Sequence, residues 1–189
     1  MQNYELVLML DYQAQDSERE SLVSKFETDF KDNIIKKDDM WLQELHHDLK
    51  WKSGNNRAYL VSFFIKASPA ELLEIRKSFL YSNVLVRYEV FKMSSEQEFL
   101  EYEKLQKELN DIMDKRDNKR FWNKISFLSH SENAKYINWK SIAILRKYMT
   151  RFWSIKPRKY TKNPIKVQKK LRKEIIRARG LWLLEFIRS

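Results

Sequence analysis

The hydrophobic and polar positions of the first half of the chain change their period several times. Residues 3–10 are nearly all apolar, the pattern of a strand in the middle of a sheet. Over residues 17–31, Leu22, Val23, Phe26 and Phe30 recur three to four apart, which predicts a helix with one apolar stripe. Residues 34 to about 49 read as an extended strand, with a turn signal in Ser53-Gly54-Asn55. Residues 57–65, rich in β-branched and aromatic side chains, predict another strand. Ser68-Pro69 has the form of an N-cap and first helical residue, leading a helix with Leu72, Leu73, Ile75 and Phe79. Residues 84–93 alternate: Val84, Val86, Tyr88 and Val90 on one face, Leu85, Arg87, Glu89 and Phe91 on the other. The order βαββαβ predicts a ferredoxin-like split βαβ, a four-stranded antiparallel sheet with two helices on one face. The other face is expected to be uncovered, so that its apolar residues imply a partner or a base-stacking surface.

Beyond residue 93 the period stays helical. Ser95-Glu96-Gln97-Glu98 has the form of a capping box and opens a charged helix running to about Asn118. Its stripe of Phe99, Tyr102, Leu105, Leu109 and Ile112 is narrow, which suits packing along another surface, and the helix reads as a connector. The module boundary is expected at residues 114–120. Asn138 is expected to cap a helix holding Trp139, Ile142, Ile144, Leu145 and Tyr148, and residues 153–161 to be extended. Asn163-Pro164 is expected to cap a last helix over residues 164–179, with Gly180 at the C′ position and Val167, Leu171, Ile175 and Ala178 as the buried stripe. The expected fold class is α+β: a ferredoxin-like domain at 1–93, a connector helix at 94–118, and a small, mostly α-helical basic domain at 119–189.

Charge divides the chain in the same place. Residues 1–118 hold 17 Lys and Arg against 23 Asp and Glu, while residues 119–189 hold 20 against 3. A mildly acidic block joined to a strongly basic one points to a polyanionic partner for the second, most simply nucleic acid. The last helix carries the strongest signal. Lys166, Lys169, Lys170, Lys173 and Arg177 fall on the face opposite the apolar stripe, flanked by Arg172 and Arg179, with Glu174 the one acid on the helix. The extended segment before it adds Lys156, Arg158 and Lys159, and Arg151 and Lys162 stand just outside its two ends.

Other chemistries find little support. Cysteine is absent, which excludes disulfides, Cys-ligated zinc and thiol catalysis. Gly54 and Gly180 are the only glycines, so no glycine-rich phosphate loop exists. His46 and His47, adjacent in an extended segment, point to opposite faces and do not share a metal easily; no metal or cofactor is expected. No serine elbow is recognisable and no enzyme is expected. No apolar run approaches the ~20 residues of a membrane span, the N-terminus reads as a strand rather than a targeting segment, and no membrane partner is expected. Arg57, Tyr59 and Phe64 can be laid on the basic and aromatic positions of an RNA recognition motif. Ala58, Leu60 and Val61 depart from that pattern, and packing is the better account of the strand.

The residues also carry two family resemblances. Tyr4-Glu5-Leu6-Val7 and the passage Phe79 … Asn83-Val84-Leu85-Val86-Arg87-Tyr88 make residues 1–93 resemble bacterial-type small-subunit ribosomal protein six, the S-six family. The family's passage reads Leu-Arg-Tyr where this chain has Val86 between Leu85 and Arg87, and its middle strand is replaced by Leu45-His46-His47-Asp48-Leu49. Ile137-Asn138-Trp139-Lys140-Ser141-Ile142, Ile155-Lys156-Pro157-Arg158-Lys159-Tyr160-Thr161, Gln168-Lys169-Lys170-Leu171 and Ile175-Ile176-Arg177-Ala178-Arg179 make residues 119–189 resemble small-subunit ribosomal protein eighteen, the S-eighteen family. That family's glycine after the Thr is replaced by Lys162, and its frequent N-terminal cysteine by Ser126.

The chain thus looks like a fusion of two proteins that pair on the platform of the small ribosomal subunit. The resemblance implies a structural, rRNA-binding role in translation, with the 16S-type rRNA and neighbouring small-subunit proteins as partners. It implies that the two modules pack on each other and that the first touches RNA through Arg87. It places the chain on the ribosome, in the mitochondrial or other organellar matrix or the bacterial cytoplasm. A free-standing RNA chaperone or translational regulator built from the same modules is the alternative.

Overall fold

Four strands form one antiparallel sheet in the order β2-β3-β1-β4. They are β1 (Gln2–Asp11), β2 (Ile34–Glu44), β3 (Arg57–Ala67) and β4 (Leu85–Lys92), with helix α1 (Asp16–Asp29) after β1 and helix α2 (Pro69–Ser78) after β3. This is the expected ferredoxin-like arrangement, and β1 lies inside the sheet with β3 and β4 on its two sides. The computed structural model describes residues 1–49, 56–79, 82–94, 98–117, 128 and 131–186. The turn at Ser53-Gly54-Asn55, the residues Ser95, Glu96 and Gln97 of the capping box, the boundary at 118–120 and Ser126 lie outside them.

The helices cover one face of the sheet because the period-2 apolar residues of the central strands meet their period-3.6 stripes. Leu6, Leu8 and Leu10 of β1 and Phe63 and Ile65 of β3 join Val23 and Phe26 of α1 and Leu72 and Ile75 of α2 in one core. The Phe26 ring sits edge-on to Phe63 at 5.0 Å and tilted against Phe79 at 5.4 Å. Helix α2 begins as the sequence dictates: the Ser68 hydroxyl accepts from the Glu71 N–H and the Glu71 carboxylate accepts from the Ser68 N–H, with Pro69 first inside.

Two expectations change. Strand β2 stops at Glu44 rather than reaching Leu49, because its pairing with β3 ends at Arg57 and one further bond, from Leu45 N–H to Asn56 O. The alternation along β4 is interrupted. Met9 pairs with Arg87 and Leu10 with Leu85, so Val86 is the extra residue of a bulge. Leu85, Tyr88 and Val90 consequently share the helix-side core. The second face carries apolar side chains of its own. Val7, Met9 and Leu60 are fully buried, and Phe99 stacks on Phe64 with centroids 5.6 Å apart.

The chain divides into two compact units, Met1–Phe99 and Leu100–Ser189. The second contains helix α3 (Tyr102–Asp117), a 3-10 segment Ser131–Tyr136, helix α4 (Ile142–Lys147), helix α5 (Arg158–Thr161) and helix α6 (Ile165–Gly180). Leu105 and Leu109 of α3 are buried. The same helix meets the later residues of its unit: Gln106 donates to Lys140 O, and Tyr136 OH donates to Glu108 at 3.0 Å. Leu171, Ile175 and Ala178 are fully buried on α6 as its stripe predicts.

The ends of these helices differ from expectation. Asn138 turns its carboxamide to the Lys140 N–H, and the residue at the start of α4 is Ser141. Asn163 likewise bonds the Gln168 side chain, and Pro164 occupies the N-cap of α6. At the other end Gly180 is the last helical residue instead of C′. Trp182 takes the left-handed position with φ 57°, Leu183 N–H reaches Ala178 O, and Trp182 N–H reaches Arg179 O. That pair of bonds is the Schellman pattern, and Leu183 and Ala178 are both buried. The segment 153–161, expected to be extended throughout, bends into α5 at Arg158.

Candidate nucleic-acid interface

The cations of the second unit separate into two groups once folded. Helix α6 carries seven Lys and Arg against Glu174. Lys166, Lys169, Arg172 and Lys173 are exposed on it. Lys166 and Lys173 are separated by about 10 Å along the axis, a span that covers several phosphates, since duplex nucleic acid carries one charge per ~1.7 Å. Among the acidic side chains, Glu174 cannot neutralise that face, because it is 1% exposed and points inward.

The other cations of α6 are engaged by the protein. Arg177, 7% exposed, donates through Nη1 to both Glu174 oxygens at 3.0 and 3.3 Å. Lys170 is half-buried, and its ammonium donates to Ala134 O at 2.9 Å. Burial pulls its pKa below the usual lysine range, against the attraction of Glu174. Arg179, 8% exposed, donates from Nε to Glu185 O and from Nη2 to Trp153 O. Lys170 and Arg177 flank Glu174 at i−4 and i+3, which draws them from the solvent-facing stripe toward the interior. A helical wheel does not reveal this, because it assigns angles and not partners.

The segment before α6 is held by main-chain and amide contacts. Thr150 N–H donates to Ser154 O at 2.8 Å, Lys156 N–H to Tyr148 O, and Met149 bridges Ile155, which makes a hairpin. Gln168 of α6 reaches Lys156 O at 2.9 Å and accepts from Thr161 and Asn163, fastening residues 156–163 to the helix. Arg151, Arg158, Lys159 and Lys162 are exposed, and Lys156, half-buried, donates to Lys147 O. Lys162 adopts the left-handed conformation, φ 54° and ψ 19°, at the end of α5.

Arg87 lies in the first unit, on β4, where it forms an ion pair with Glu89 at 2.7 Å. The aromatic positions compared with an RNA recognition motif also have protein partners. The Arg19 guanidinium lies 4.2 Å from the Tyr59 ring centroid, Phe64 is stacked by Phe99, and Val61 is in the core.

Sequence reasoning passed over three features. Lys140 counts among the basic residues yet is fully buried, with Nζ donating to Leu100 O at 2.9 Å. Arg146 and Lys147 on α4 are exposed and extend the cationic surface. Phe152 and Tyr160 are 58% and 72% exposed inside the basic segment. The absence of any Asp or Glu between Glu132 and Glu174 is the signal that marks this whole stretch. Among the described residues no group of three or more His, Asp or Glu converges as for a metal, and no helix is long and apolar enough to cross a membrane.

Residues 133–184 match the family model for ribosomal protein S18. A crystal structure of 30S ribosomal protein S6 from Thermotoga maritima is similar at 16% identity and a TM-score of 0.44, over 59% of this chain and 97% of that one. No curated protein matches the chain.

Proposed function

We propose that this chain is a structural constituent of the small ribosomal subunit. In this reading the second unit holds rRNA through Lys166, Lys169, Arg172 and Lys173 of α6 together with Arg151, Arg158, Lys159 and Lys162. The first unit is an S-six-type module joined covalently to its S-eighteen-type partner, so that binding of one raises the effective concentration of the other. The site of action is the platform, on 16S-type rRNA. The role is one of assembly and not of catalysis.

The observation that carries this reading is the coincidence of two facts over one stretch. Residues 133–184 match ribosomal protein S18, and the same residues contain exposed cations on a scaffold whose one interior acid is spent on Arg177 and Trp139. A structural protein of a ribonucleoprotein needs many phosphate contacts held in fixed register, and the fastening of the basic segment by Gln168 supplies that rigidity.

The test is binding of the full chain to small-subunit rRNA across a salt series. The logarithm of affinity is expected to fall linearly with the logarithm of salt, by an amount proportional to the number of phosphates neutralised, about 0.7 for each in a single strand and about 0.9 in duplex DNA. Replacing Lys166, Lys169, Arg172 and Lys173 together by Glu is expected to flatten that slope. An unchanged slope and affinity would overturn the assignment.

A further inference from the structure

The hairpin that ends at Met149 and Ile155 exposes a ring at its tip. Phe152 is 58% exposed, and the Arg151 guanidinium carbon lies 4.6 Å from its ring centroid. The tip is tightly fixed. Thr150 Oγ1 accepts from the N–H groups of Phe152 and Ser154 at 3.3 and 3.2 Å, and it shares a 2.7 Å hydrogen bond with the Ser154 hydroxyl. Trp153 N–H returns to Thr150 O, and Trp153 itself sits at φ 62°. Its carbonyl is held by buried Arg179 of α6. An unfavourable backbone position and a buried arginine therefore serve to present an apolar ring to solvent.

We infer that the Arg151–Phe152 pair is a stacking platform for an unpaired nucleotide of the bound RNA, an inference that rests on the RNA-binding role proposed above. The ring offers a π-face to a base of any identity, and the guanidinium already layered on it provides a planar cation for the same stack or for the adjoining phosphate. A base inside an A-form helix has its faces covered by its neighbours, so a ring at a hairpin tip meets only bases that are splayed out, as in loops and bulges. The surroundings favour RNA over a protein partner. The stretch from residue 133 to 173 contains no acidic side chain, and Arg146, Lys147, Arg158 and Lys159 are exposed within it.

The test compares an RNA hairpin with an unpaired loop and a fully paired RNA duplex, each titrated by fluorescence anisotropy into the full chain. Phe152→Leu keeps apolar bulk at a position outside the core, and Phe152→Trp keeps the π-face. Phe152→Leu is expected to bind the looped RNA about tenfold more weakly, with the duplex affinity and both salt slopes unchanged, and Phe152→Trp to bind as wild type. Equal affinity of Phe152→Leu and wild type for the looped RNA would overturn the inference, as would an equal loss on both RNAs. Normal RNA binding by Phe152→Leu combined with failure to enter small-subunit particles would replace it with a protein contact. Wild-type chain that binds neither RNA would instead refute the proposed function itself.

Discussion

The buried carboxylate of Glu174 accepts a hydrogen bond at 3.2 Å from the backbone N–H of Trp139, 35 residues earlier in the chain. With the two bonds from Arg177, it joins α6 to the turn that precedes α4. The lone acid of the basic helix is therefore a fastening inside the second unit and not a neutraliser of its surface. Replacing Glu174 by Ala leaves a buried guanidinium and a main-chain donor to be satisfied elsewhere. We expect a loss of about 3 kcal/mol or more, with Glu174→Gln losing less. Urea unfolding checks this, and a change under about 0.5 kcal/mol for the alanine variant contradicts it.

Lys170 separates from its sequence neighbours. Because its ammonium is half-buried on Ala134 O, Lys170→Met is expected to keep or slightly raise stability, while leaving the salt slope of RNA binding nearly unchanged. Lys169→Glu and Lys173→Glu, at exposed positions, are expected to do the reverse: stability within about 0.5 kcal/mol of wild type, and a salt slope shallower by about one phosphate contact each. The sign of the pKa shift adds a further mark. The folded pKa of Lys170 is lowered, so its burial opposes folding below that value. The opposition disappears as pH rises through the folded pKa toward the unfolded one. The gain on raising pH is expected to be absent from Lys170→Met.

Lys162 occupies a left-handed position that an L-residue with a Cβ takes at a cost of about 1 kcal/mol. Lys162→Gly is expected to raise the unfolding free energy by up to about that amount, while weakening RNA binding through loss of a cation. Anisotropy and denaturant titration on the same variant separate the two effects. A variant that gains stability and keeps full affinity would show that the lysine serves no RNA contact.

The start of α2 gives a prediction in the first unit. Ser68→Ala removes one half of the reciprocal cap and is expected to cost about 1 kcal/mol. The Glu71 carboxyl is held below the usual carboxylate range by the hydrogen bond it accepts from the Ser68 backbone N–H, helped by the Ser68 side chain. A lowered folded pKa contributes stability above the unfolded pKa and loses it as pH falls through the folded one. The stability difference between wild type and Glu71→Gln should therefore shrink as the solution is acidified through the carboxylate range. A difference that stays constant with pH would show that the charge of Glu71 plays no part.

The elements of the first unit were legible because their periods are clean. The apolar run before Asp11, the 3–4 spacing of Leu22, Val23, Phe26 and Phe30, and Ser68-Pro69-x-Glu71 each name one structure. The extra residue Val86 was visible as an interruption of a family pattern, but its consequence was not. A bulge moves Leu85 to the core side, and a strict alternation cannot express that. In the second unit, the buried stripe of α6 followed its period, whereas the cation face did not. Lys140, Lys170 and Arg179 find interior acceptors on chain segments remote in sequence, Leu100 O, Ala134 O and Trp153 O, and Arg177 turns to Glu174 on its own helix. Helix ends were misplaced for a related reason. Pro164 and Trp182, rather than Asn163 and Gly180, take the cap positions because the side chain of Asn163 is drawn to Gln168 and the chain is pulled inward by Leu183.

The most direct test of the whole account is sedimentation of the native protein from its source through a sucrose gradient in high salt, with and without ribonuclease. The account predicts full-length chain in the small-subunit peak and its loss from that peak after ribonuclease. Chain at the top of the gradient in both samples would contradict it.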